Sequence, residues 1–93
     1  MNSLYTISKR LASNFRAYHK VFFNENCSDI GVINMNNVDY FTVTGAFDHK
    51  ITFYTFKSQP LEVVTVKFDS PEDAMQEYSN IINGREPYYG IKF

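Results

Sequence analysis

The residues able to do chemistry are few in this 93-residue chain, and they are widely separated. His19, Cys27 and Asp29 lie near one another in sequence, and Asp48 and His49 form a second small group. A zinc centre normally takes four ligands, arranged as two closely spaced couples. One cysteine and two separated histidines do not supply them. Asp48 beside His49, or Glu72 beside Asp73, has the residue types needed for acid–base catalysis. Each has a plainer reading: a solvated ring in a turn, and negative charge placed at a helix N-terminus. Cys27 follows a helical pattern instead of opening one, so it lacks the setting that favours a thiolate. With only four glycines, the chain holds no phosphate-cradling loop and no G-x-S-x-G elbow. The expectation is a protein that is not an enzyme and carries no metal or cofactor.

The elements that must position any other function read clearly in period. Leu4, Ile7, Leu11, Phe15, Tyr18 and Phe22 recur at spacings of three and four, which predicts a helix over 4–22 with Ser3 as its cap. Beyond Ser28 the period falls to two. Strands are predicted over 29–35, 38–44, 50–57 and 61–68. The first two are joined by a two-residue turn at Asn36 and Asn37, a pair that tolerates positive φ. Short connections between four consecutive strands imply an antiparallel meander, because parallel neighbours need a long crossover. The second helix has the strongest start signal. Ser70 caps it, Pro71 takes its first position, Glu72 and Asp73 fill its first turn, and Gly84 ends it. The apolar tail, 85–93, is expected to dock or to add a short fifth edge strand.

The fold expected is α+β: one domain over 1–93, a two-layer sandwich of order α-β-β-β-β-α with both helices on one side of the sheet. Stability at the usual rate per residue is about 5–14 kcal/mol. No run approaches the ~18–20 apolar residues of a membrane span. The first twenty residues are interrupted too often by Lys9, Arg10, Asn14 and Arg16 for a signal peptide. A single cysteine suits a reducing compartment, so a cytoplasmic location is expected.

Charge is distributed unevenly. Residues 1–23 hold Lys9, Arg10, Arg16 and Lys20 and no acid, whereas residues 24–93 hold five cations and all ten acids. Either the two helices attract each other, or one charged face meets a partner. The candidates are Lys9, Arg10, Arg16 and Lys20 for an acidic surface or a phosphate backbone, and Glu72, Asp73 and Glu77 for a basic surface. The far side of the sheet offers a second candidate. Tyr54 and Phe56 alternate with Ile51 and Phe53, and Tyr40 falls in the same set, so these aromatics are expected to share the face the helices leave open. The tail, with Tyr88 and Tyr89, is the other group able to cover that face.

In size, solitary-domain layout, aromatic content (seven Tyr and nine Phe) and segregated charge, the chain resembles small phage-encoded inhibitors of the anti-CRISPR type. That resemblance implies a compact protein that blocks a host nuclease complex by occupying one of its surfaces. The leading expectation is therefore a protein-binding module, an inhibitor or regulator, with a homodimer as a further possibility. The alternative is a nucleic-acid-binding regulator that uses the basic first segment.

Overall fold

A computed structural model describes residues 15–23, 26–44, 49–57 and 61–90. Five strands and one helix follow in the order β1 (Phe15–Phe23), β2 (Asn26–Asn34), a 3₁₀ turn (Met35–Asn37), β3 (Tyr40–Val43), β4 (Lys50–Thr55), β5 (Glu62–Lys67) and α1 (Pro71–Ile82). The strands form one sheet in the order β2-β1-β5-β4-β3, with every neighbour antiparallel. The α+β class stands. The element order does not.

Two corrections follow. The helix expected over 4–22 is a strand from Phe15 onward; its earlier part lies outside the described residues. The cause is local. Lys20 has φ +55°, and a left-handed residue interrupts strict strand alternation. Tyr18 and Val21, three positions apart, consequently both enter the core. A broken strand thus imitates the three-residue spacing of a helix face, although FRAYHKVFF is otherwise rich in strand-favouring residues. The second correction concerns Asn36 and Asn37, which do not form a hairpin turn. Asn34 caps a 3₁₀ turn there, its Oδ1 accepting from the Asn36 N–H at 3.1 Å. The segment it opens carries the chain between the two edge strands, β2 and β3. β1 fills the gap by pairing with both β2 and β5, so the sheet has five strands and is not a simple meander.

α1 matches its sequence signal closely. The Ser70 hydroxyl accepts from the Asp73 N–H at 3.1 Å, and Pro71 opens the helix. At the other end Gly84 has φ +68°. Gly84 N–H reaches Ile81 O at 3.2 Å and Arg85 N–H reaches Asn80 O at 2.8 Å, the paired bonds of a Schellman cap. Its position is set by Phe41 against Tyr78, ring centroids 5.4 Å apart, and by buried Ala74. The helix packs on β3 and β4.

The core lies between α1 and one sheet face. Register puts Val21, Ile51 and Val66 side by side on that face, with Phe53 and Val64 one step along. Tyr18 meets Phe53 and Phe68 with centroids 6.1 Å apart in both cases. Full burial of each aliphatic or Phe side chain here contributes about 1.5–3 kcal/mol. The tail docks instead of adding a full strand. Gly90 makes a single antiparallel bridge with Tyr18, and Tyr89 packs on Phe68 at 5.1 Å.

Candidate partner-binding surface

The outer side of the sheet is built from the residues that alternate with the core set. Pairing aligns Tyr40 with Tyr54 and Val63, then Thr42 with Thr52 and Thr65, then Lys50 with Lys67. The face is thus graded from aromatic through hydroxyl to cationic over three rows. Its aromatic end is a stack. Tyr40 and Tyr54 lie 4.3 Å apart and nearly parallel, and Tyr40 also stacks on Phe56 at 5.3 Å. Tyr40 is 43% and Phe56 59% exposed, so the stack is open to solvent.

Local bonds hold this end in place. Asp39 N–H donates to Tyr54 O at 2.9 Å, and the Asp39 carboxylate accepts from the Phe56 N–H at 2.7 Å. Lys57 Nζ donates to Asn36 O at 3.3 Å. Phe56 stands just past the end of β4, yet its backbone is pinned to the start of β3. The middle row is bridged between Thr52 Oγ1 and Thr65 Oγ1 at 3.3 Å. In the last row two ammonium groups oppose each other across strands, an arrangement that is unfavourable unless an anion offsets it.

The charged residues expected to face a partner are placed quite differently. Arg16 and Glu77 are buried, 5% and 0% exposed, and bonded to each other. Arg16 Nε donates to Glu77 Oε2 at 2.7 Å and to Tyr18 Oη at 2.8 Å, and Nη1 donates to Arg85 O at 2.8 Å. Nη2 lies 2.6 Å from Glu77 Oε2 without hydrogen-bond geometry. Tyr18 Oη donates to Glu77 Oε2, and the Tyr88 N–H donates to Oε1 at 2.6 Å. Burial, reinforced by the neighbouring Glu77 charge, pushes the Tyr18 phenol far above its ordinary range. Neither Arg16 nor Glu77 can present charge to a partner, which corrects their reading as surface contacts. The reason is that strand β1, not a helix, delivers Arg16 to the inner side of α1.

Lys20 remains exposed but bonds Asp69 at 2.5 Å, and Tyr89 donates to the same carboxylate. The bond from Lys20, followed by that from Tyr89, holds the Asp69 carboxyl below its usual range; Asp69 in turn raises Lys20 and Tyr89. Glu72 is exposed and Asp73 half-buried in the first turn of α1, where they complement the helix dipole. Lys9 and Arg10 lie outside the described residues.

Of the candidate set, the structure therefore brings together Tyr40, Tyr54 and Phe56 on one exposed face and withdraws Arg16 and Glu77 from the surface. It adds Lys50 and Lys67, which sequence reasoning passed over. Their signal was available, since residues 50 and 67 share the parity of Tyr54 and Val63. The described tail residues go elsewhere: Tyr88 to Glu77, Tyr89 to Asp69 and Phe68. Among the described residues, no three His, Cys, Asp or Glu side chains group closely enough to hold a metal ion. No helix among them is long and apolar enough to cross a membrane. Compared with known proteins, the chain matches no family model, no curated protein and no solved structure.

Proposed function

We propose that the protein is a small, non-enzymatic binding module, an inhibitor or regulator that occupies the surface of a protein partner through the outer face of its sheet. The observation that carries this reading is the exposed Tyr40–Tyr54–Phe56 stack, pinned by Asp39 on a face without α1. Tyrosine and phenylalanine combine large contact area with few rotatable bonds, which makes them interface anchors. Lys50 and Lys67 at the other end of the face suit a partner with an acidic margin. Of the segregated charge that entered the resemblance to phage inhibitors, Arg16 is paired with Glu77 in the interior and Lys20 with Asp69 at the surface. The reading accordingly rests on the aromatic face and not on Arg16, Lys20 or Glu77.

The ring geometry also bears on the nucleic-acid alternative. Single-strand binding surfaces use open ring faces on which bases stack. Here Tyr40, at the centre of the stack, is in contact with two neighbouring rings and offers a partner its edge and hydroxyl. Edges and hydroxyls suit side chains better than bases.

The test is affinity capture from the native host with the wild-type protein and a Tyr40→Ser/Phe56→Ser variant. The wild type should recover one partner in stoichiometric amount, and the variant should lose it while remaining folded by circular dichroism. Equal recovery by both proteins would remove the outer face from the reading. Tight, salt-sensitive binding of single-stranded DNA by the wild type, lost in the variant, would replace it with the nucleic-acid reading.

A further inference from the structure

The inner face of the sheet is not completely filled. α1 covers its β3–β4 side, and the chain crossing from β2 to β3 arches over the rest. Between them lies a half-open cavity of about 440 Å³. Register accounts for its apolar floor. Val21 aligns with Val66, Phe23 with Val64, and Phe53 with Val64, so Val21, Phe23, Phe53 and Val64 share the inner face. Ile33 from β2 and Val38 from the arching segment complete it. Gly31 lets β2 lie close over Val21 of β1: a Cβ there would stand 3.0 Å from three atoms of Val21.

One residue in this wall is chemically out of place. Glu62 precedes Val64 by two positions on β5, so strand alternation directs it to the inner face with the valines. It lines the cavity and is half-buried. No ion pair reaches it among the described residues; their two salt bridges belong to Glu77 and Asp69. An inward carboxylate at the rim of an apolar chamber gives the site a polarity and a sign.

We propose that this cavity is a binding site for a small amphipathic cation, an apolar body seated against Val21, Phe53 and Val64 with its ammonium group on Glu62. The volume falls within the 300–1,000 Å³ range of small-molecule pockets, and the lining is of the expected kind, largely apolar with a single oriented charge. A carboxylate at the rim of an apolar chamber favours an arylalkylamine over an anionic nucleotide or a neutral sterol. Register places Val21, Phe53 and Val64 on the side of the sheet opposite Tyr40, although Tyr54 of the aromatic stack also borders the cavity.

The experiment is an NMR titration with three probes that share one body and differ in head group: 4-phenylbutylamine, 4-phenylbutanol and 4-phenylbutyrate. The amine is expected to shift the Val21, Phe53 and Val64 signals and to bind at least about tenfold tighter than the alcohol, with the carboxylate weakest. Glu62→Gln should make amine and alcohol equivalent. Ser28→Trp, at an exposed lining position that aligns with Val21 on the inner face, should weaken the amine by about tenfold by filling the chamber. Lys67→Ser, on the outer face and outside the lining, should leave all three affinities unchanged. The proposal is overturned if no probe moves those signals at millimolar concentration, if amine and carboxylate bind alike, or if Glu62→Gln keeps the amine preference.

Discussion

Replacing Glu77 is the sharpest test of how this fold is held together. Its carboxylate is fully buried and accepts from Arg16, Tyr18 and the Tyr88 backbone, so one side chain ties β1, α1 and the tail. Glu77→Ala leaves the Arg16 guanidinium buried with only Tyr18 Oη and Arg85 O as partners, and orphans the Tyr88 N–H. Removing one member of a buried ion pair costs about 3–5 kcal/mol, because the surviving charge is left uncompensated. Against a total of about 5–14 kcal/mol, that is about a fifth or more of the stability. At about 4–8 °C per kcal/mol for a domain of this size, the unfolding midpoint should fall by about 12–40 °C.

The same reasoning makes a second, less intuitive demand. Arg16→Met/Glu77→Leu removes both charges while roughly keeping volume, so the double variant should be more stable than Glu77→Ala despite carrying two substitutions. It should not recover fully, because Tyr18 Oη and the Tyr88 N–H still lose an acceptor at about 1–3 kcal/mol for each group left buried and unpaired. Urea unfolding of wild type, Arg16→Met, Glu77→Leu and the double variant closes the cycle. Loss of less than about 1 kcal/mol in Glu77→Ala, or a double variant as weak as the sum of the singles, would refute the view of this network as a coupled buried pair.

Gly31→Ala is expected to lower stability by about 1–3 kcal/mol in urea unfolding, despite alanine's better backbone entropy, because its Cβ would stand 3.0 Å from the Val21 Cβ and both Cγ atoms. At Lys20, glycine should be more stable than alanine, since both lose the bond to Asp69 but only glycine relieves the φ of +55°; thermal midpoints in the opposite order would refute that. The Asp69 carboxyl is held below its ordinary value by bonds from Lys20 and then Tyr89. Its contribution is thus fully present above an unfolded pKa of about 3.9 and is lost as pH falls through the lower folded value. The stability gap between wild type and Asp69→Asn should be constant from neutrality to about pH 5 and close on further acidification. A gap unchanged into acid would show that the bonds do not form in solution.

What the sequence made legible was local, and what it hid was non-local. The second helix was readable because each signal, Ser70, Pro71 and Gly84, acts within a turn of its own position. The grouping of Tyr40, Tyr54 and Phe56 was readable because strand parity alone sorts residues between faces. The first segment failed for a specific reason. Phe15, Tyr18 and Phe22 fit helical spacing, and nothing in the sequence marks Lys20 as left-handed, since lysine is not among the residues that favour that region. Strand order was hidden as well. Whether 26–34 neighbours 40–43 depends on β1 entering between β2 and β5, a contact made across the whole chain. Burial of Arg16 and Glu77 followed from the same error, because a basic helix face has no way to reach the underside of α1.

The internal pairing of charge narrows where function can reside. Arg16, Glu77, Lys20 and Asp69 are engaged in holding β1, α1 and the tail together, and charges so engaged are poor contacts for a partner. The aromatic stack is in the opposite position. Cross-strand stacking of Tyr40 on Tyr54 does strengthen the short β3–β4 pairing by about 0.5–1.5 kcal/mol, so these two rings have a purely structural use. Phe56 shares it only through its stack on Tyr40. It lies beyond β4, pairs with no residue across a strand, and is more exposed than Tyr40, yet Asp39 fixes its backbone in place. The middle row shows that threonines suffice to cover this side of the sheet. A large apolar ring held in water beyond the Tyr40–Tyr54 row is the feature of this face that supports the proposed interface.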